Sequence, residues 1–294
     1  MLAAMSALWG TSFLLIKIAT NGIDPLTFTF ARLAIGAVTL AVIARAFGWR
    51  WPASKAAWGF AALLALAGQA APVYVTGLAA RWTTSADLAL MMGAAPIATM
   101  LLARLLGMGE VWSLSAAFGL AVGLVGVVVA IGSPVDADHY PHAGYGRALG
   151  LLAAFLFSAG ALISRFSSRH VGPGMTATAS MAMSSTLMGC VWLAVDGLGA
   201  PQHLTTAPLA SLLALLTLGA ANTAFGYLLY FRLVETAGAT FAALNNYVTP
   251  LIGLLLGAIV LAEPVSFSSC IGLALVIASI VVTGAAAKIS VRKI

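Results

Sequence analysis

The chain repeats itself, and the arithmetic of the repeat turns the second copy upside down. Leu8-Trp9-Gly10-Thr11-Ser12, followed by Lys17 and Pro25, returns as Leu156-Phe157-Ser158-Ala159-Gly160, followed by Arg165 and Pro173, each pair 148 residues apart. Gln69 and Tyr74 return as Asn222 and Tyr227 at 153, Pro96 as Pro250 at 154, and Glu110 as Glu263 at 153. The order holds along the whole length, with about five residues added in the second half. Each half carries five apolar runs. Five is odd, so a second copy in a membrane enters from the opposite side, and inverted repeats of this kind build two gates around one midplane site.

The runs need a membrane to make sense. Hydrophobic residues are 62% of the chain, charged residues 7%, and mean hydropathy is +1.04, whereas a soluble domain averages about 25% charged residues. At about 20 residues per span, ten spans use about two thirds of the chain and leave short loops. The runs are long and continuous rather than alternating, so the spans are helices and not barrel strands. The expected spans are 3–20, 27–46, 56–79, 84–106, 112–131, 148–168, 174–195, 208–231, 236–260 and 266–286. The fold class is all-α integral membrane: ten transmembrane helices as two five-helix inverted repeats around a central cavity. The first repeat covers 1–133, a periplasmic linker 134–147, and the inverted second repeat 148–294. The first run lacks a basic start and is broken by Trp9, Thr11, Ser12 and Lys17, unlike a cleavable signal peptide. Cys190 and Cys270 lie within spans without CxxC spacing, and are read as small packing residues rather than a disulfide or metal pair.

Charge in the loops sets orientation. With the N-terminus inside, the inner connections hold Arg45, Arg50, Lys55, Arg104, Arg165, Arg169, Arg232, Lys288, Arg292 and Lys293, and the outer ones only Arg81 and Arg147. Both termini are therefore expected in the cytoplasm, in a bacterial inner membrane. The net charge of +6 is this asymmetry. It does not suggest nucleic acid, since no basic patch is interleaved with aromatics.

The Trp-Gly-x-Ser-Phe-(x)3-Lys run at Trp9–Lys17 resembles the drug/metabolite transporter superfamily in its EamA branch. So does Ala95-Pro96 with Glu110, echoed at Thr249-Pro250 with Glu263. The resemblance spans essentially the whole chain. Within the branch it is most similar to bacterial aromatic amino acid exporters of the YddG type. It implies a five-plus-five inverted repeat, with spans one, three, four, six, eight and nine around a central cavity, and a small-molecule cargo. Relatives move amino acids, nucleotide conjugates, drugs and other metabolites, so another cargo class in the same superfamily is the alternative reading, and a passive channel a further one.

The residues themselves indicate most of the same liners. Polar side chains at mid-span are costly against lipid and face the bundle interior. These are Thr11 and Ser12 on span one, Gln69 on three, Ser158 on six, Asn222 on eight, and Asn245 and Asn246 on nine. Six of the tryptophans, Trp49, Trp51, Trp58, Trp82, Trp112 and Trp192, fall near span ends, as interfacial anchors do. Trp9 sits near mid-span, where its flat face and ring N–H suit a cavity wall, with plain packing as the alternative. The expected substrate-binding set is Trp9, Ser12, Gln69, Tyr74, Met92, Ser158, Asn222, Phe225, Tyr227, Asn245, Asn246 and Tyr247. Neutral amides can meet both an amino and a carboxylate group, and the aromatics suit a flat side chain. Pro96 and Pro250 are repeat mates inside spans and are read as hinges, with static kinks as the alternative.

No Asp, Glu or His is read at mid-membrane depth. Lys17, Arg32 and Asp87 are taken to lie near outer span ends, and Glu110 and Glu263 near span starts. A gradient-driven carrier without a proton relay is the simpler expectation. Without deep histidines or paired acids an enzyme is disfavoured, and no cofactor is called for. The oligomeric state is left open, a monomer among the possibilities.

Overall fold

The computed structural model describes residues 1–52, 54–107, 114–131, 140–167, 172–197, 202–237 and 245–291. Among them all regular structure is helical. The elements are α1 (Leu2–Gly22), α2 (Pro25–Ala46), α3 (Lys55–Ala65), π1 (Leu66–Ala70), α4 (Ala71–Ala80), α5 (Ser85–Met92), α6 (Ala95–Leu105), α7 (Leu114–Ile131), α8 (Ala143–Ser167) and α9 (Pro173–Asp196). Then come α10 (Gln202–Thr205), α11 (Leu209–Thr217), π2 (Leu218–Phe225), α12 (Gly226–Ala237), α13 (Asn245–Val260) and α14 (Phe267–Val291). Among the described residues seven apolar helices are long enough to cross a bilayer, counting α3-π1-α4, α5-α6 and α11 onward through Tyr230 as one each. Shorter apolar stretches at Ala121–Ala130, Val248–Val260 and Phe267–Ser279 fall inside the other three expected spans.

Local chemistry sets the helix starts. Asp24 Oδ1 accepts from the N–H groups of Leu26 and Thr27 at 2.9 and 3.0 Å, and Pro25 follows at a position where no N–H is needed. Ser54 caps α3 through Ala57 N–H, and Thr84 caps α5 through Asp87 N–H. The span expected at 84–106 is interrupted at Gly93-Ala94. Pro96 opens α6 there, while its mate Pro250 lies inside continuous α13.

Close packing comes from small residues, as expected where lipid offers no hydrophobic drive. α7 lies along α14. A Cβ added to Gly126 would fall 2.9 Å from Gly272 O, and one added to Gly272 2.8 Å from Gly126 O. α2 pairs with α9, α1 with α13, and α4 with α8. The largest buried cluster joins Phe13, Phe28, Leu33, Val73, Leu88, Met181 and Leu218. Large apolar side chains such as Val42, Leu105, Val128, Leu216 and Ile259 face outward, as a lipid-facing surface requires.

Two sequence readings are corrected by this packing. Trp192 is no interfacial anchor: it is 7% exposed, donates its ring N–H to Thr27 Oγ1 at 2.8 Å and stacks on Phe30 at 4.6 Å. The partner helix α2 covers it. Cys190 and Cys270 are free and exposed rather than packed inside.

Candidate functional site

The wide turns π1 and π2 interrupt their helices at Gln69 and Asn222, 153 residues apart. A wide turn releases backbone groups from the regular ladder, and such turns are frequent at functional sites. In π2, Gly226 N–H bonds Ala221 O, five residues back. The carbonyl of Asn222, four residues back, instead accepts the ring N–H of Trp9 at 3.2 Å. Gly226 also makes room for that ring, since a Cβ there would stand 2.5 Å from Trp9 Nε1. In the first half, Pro72 has no N–H to give the carbonyl of Gly68, and the hydroxyl of Tyr227 approaches that carbonyl at 3.5 Å.

Asn222 ties π2 to α1. Its Nδ2 lies against the carbonyl of Leu8 and 3.0 Å from the hydroxyls of both Thr11 and Ser12. Its Oδ1 is buried and has no partner among the described residues. Trp9 meets Tyr227 edge-on at 6.1 Å and Tyr230 at 5.5 Å.

These groups border a cavity of about 260 Å³. Of the expected substrate-binding residues, Trp9, Ser12, Met92, Ser158, Asn222, Tyr227 and Asn245 line it, and so do both prolines, Pro96 and Pro250. Ser158 Oγ donates to Ala95 O at 2.8 Å, beside the break before α6. Asn245 Oδ1 accepts from Thr249 Oγ1 at 2.9 Å.

Three expected residues lie elsewhere. Gln69 is 1% exposed and donates to Ser180 Oγ at 3.0 Å, which fixes it between helices. Tyr74 packs against the main core. Phe225 is 49% exposed on the outer surface, because it ends the wide turn and its phase differs from that of a regular helix. The side chains of Asn246 and Tyr247, and all of Glu110, lie outside the described residues.

The sequence reading misses Arg32 and Thr223 on the wall. It puts Arg32 at the outer end of its span. Arg32 stands seven residues into α2, about 10 Å along the axis, and its Nε donates to Thr223 Oγ1 at 3.1 Å. Its position within the helix, counted in rises rather than from the nearest loop, is the signal that finds it.

Beyond the cavity, one end of the bundle is filled by polar and charged groups. Arg147 pairs with Asp87 through two contacts, at 3.0 and 3.3 Å, with both side chains buried. Thr83 donates to the same carboxylate at 2.7 Å. Arg147, a loop residue by the charge pattern, is thus a buried partner of span four. Lys17 donates to the carbonyls of Ala80 and Thr83 at 2.5 and 2.7 Å and sits over the Tyr140 ring. Glu263 accepts from Ser85 N–H, Ser85 Oγ and Ala86 N–H at 2.8, 2.7 and 3.1 Å. None of these residues lines the cavity. On α1 the wall residues run Trp9 to Ile16 and Lys17 comes next; on α13 they run Asn245 to Pro250, with Glu263 far beyond. On α1 and α13 the wall thus stops short of the polar cluster.

A solved crystal structure with 18% identity matches over 98% of this chain and 96% of its own, with a TM-score of 0.66. That likeness shows a shared fold. No curated protein sequence matches significantly. The model of the EamA-like transporter family matches residues 1–132 and 144–285. The chain belongs to the EamA-like transporter family, whose members are multi-pass membrane transporters of small metabolites rather than enzymes.

Proposed function

We propose that this protein is a secondary transporter, an exporter or facilitator, that carries amino acids, aromatic ones preferentially, across a bacterial inner membrane by alternating access. The observation that carries the reading is the cavity, with Trp9, Tyr227, Tyr230 and Phe157 alongside the amides of Asn222 and Asn245. Its volume, about 260 Å³, sits just below the range of about 300–1,000 Å³ typical of ligand pockets and suits a small solute. Aromatic faces hold a flat side chain, and the amides meet the polar end.

The two stretches matched by the family model support two repeats, 1–133 and 148–294, joined by 134–147. Ten spans follow from the apolar runs, and both termini in the cytoplasm from the loop charges. The polar cluster of Lys17, Asp87, Arg147 and Glu263 then faces the periplasm. The helix break at Gly93-Ala94 beside Pro96, and Pro250 in α13, supply the bending points for the opposite state.

Flux of labelled amino acids into proteoliposomes tests the reading. Saturable, stereoselective exchange without a pH or sodium gradient is expected. Linear, non-stereoselective flux would make the protein a pore, and flux that requires an imposed proton gradient would overturn the uncoupled mechanism.

A further inference from the structure

Arg32 is the charged residue of the cavity wall among the described residues, and no carboxylate lines the wall beside it; the Arg147–Asp87 ion pair lies outside the cavity. Arg32 Nε is engaged by Thr223 Oγ1 at 3.1 Å, and its guanidinium lies 5.9 Å from the centre of the Phe28 ring. These contacts orient the group without neutralising it. A guanidinium does not deprotonate in proteins, and a charge at this depth is costly without a counter-charge. We infer that Arg32, held by Thr223, binds the carboxylate of the transported solute, so that the cavity selects zwitterionic amino acids and monocarboxylates over their amine counterparts. This rests on the amino acid reading above and names its charge-selecting residue.

The molecule contains its own control for a purely structural arginine. The 148-residue offset of the repeat carries Arg32 onto Ser180. Ser180 bridges its helix to the wide turn of the other half by accepting from Gln69 in π1 at 3.0 Å, while Arg32 donates to Thr223 in π2, the residue after Gln69's mate Asn222. A neutral hydroxyl is enough to bridge that helix to the wide turn. The cation on one side therefore answers to something other than helix packing. The planar fork of arginine also suits a carboxylate, which can accept two parallel N–H groups.

The test is proteoliposome flux and competition with four probes: L-phenylalanine, 3-phenylpropionate, phenethylamine and phenyl phosphate. Wild type is expected to transport the first, to be inhibited by the second, and to ignore phenethylamine. Arg32→Gln should lower phenylalanine flux and phenylpropionate inhibition by about tenfold to a hundredfold, and Arg32→Lys should recover part of both. Thr223→Val keeps the charge but frees its stem, and should raise KM for phenylalanine with little change in maximal rate. It also serves if Arg32→Gln fails to insert. Unchanged carboxylate selectivity in Arg32→Gln, with phenylalanine still transported, would overturn the role of Arg32 alone. Wild-type flux of phenethylamine without phenylalanine would overturn both the role and the amino acid reading. Competition by phenyl phosphate and not by phenylpropionate would overturn the carboxylate assignment.

Discussion

Trp9 reaches across the bundle to give its ring N–H to the main-chain carbonyl of Asn222, 213 residues away. One bond thus links the first helix to the wide turn in the eighth expected span. Trp9→Phe keeps a ring but strands that carbonyl, at a cost of about 1–3 kcal/mol, which a thermal melt in detergent reads directly. Trp9→Ala also removes an aromatic contact of roughly 0.5–1.5 kcal/mol. Flux of aromatic amino acids should fall about threefold to tenfold, while small amino acids are mostly spared. Equal loss for both classes would remove Trp9 from the binding surface.

Gly226 leaves Trp9 its place. Gly226→Ala sets a methyl against the indole nitrogen and should destabilise by about 1–3 kcal/mol, the usual cost of overpacking, with loss of aromatic flux. Gly59 in α3 has nothing within 4 Å of an added Cβ. Gly59→Ala should be neutral or stabilising, because only helix propensity changes. Comparing the two melts separates crowding from backbone effects.

The Asp87–Arg147 pair is buried on both sides. Removing one partner leaves an uncompensated charge, a loss of about 3–5 kcal/mol. Asp87→Leu and Arg147→Leu should each lower the melting temperature strongly, and the double variant should lose much less than their sum. Additive losses would mean that the two groups act independently.

Orientation is open to labelling. In a chain with Cys190→Ser and Cys270→Ser, a cysteine at exposed Gly144 should react with an impermeant maleimide in intact cells. Reaction only after lysis would reverse the topology inferred from loop charge.

Much of this architecture is legible in the sequence because lipid leaves a chain few choices. Long apolar runs become helices, and deep polar groups turn inward. The spacing that pairs Gln69 with Asn222 also pairs two wide turns, which no periodicity in either segment announces. The same turns explain a failure. Nearness to Asn222 points Phe225 at the cavity, but the widened turn shifts the phase of the helix, and the ring ends on the outer surface. Trp192 misleads for a different reason: depth along a helix says nothing of the neighbour beside it, here Thr27 and Phe30. Arg32 is hidden by its nearest loop, which draws attention away from the cavity that reaches it.

Glu263 holds its partners in a way that leaves little room for genetic suppression. Its carboxylate grips the peptide N–H groups of Ser85 and Ala86, which every substitution at those positions except proline retains. A charge swap can in principle restore Asp87 and Arg147, because each can take the other's sign. Two of the three groups Glu263 serves belong to the backbone and cannot be rewritten, the third being the Ser85 hydroxyl, so a changed side chain at 85 or 86 cannot meet the need that a lost Glu263 leaves. Searches for revertants of a Glu263 variant should therefore return the original residue or aspartate, and not changes at 85 or 86.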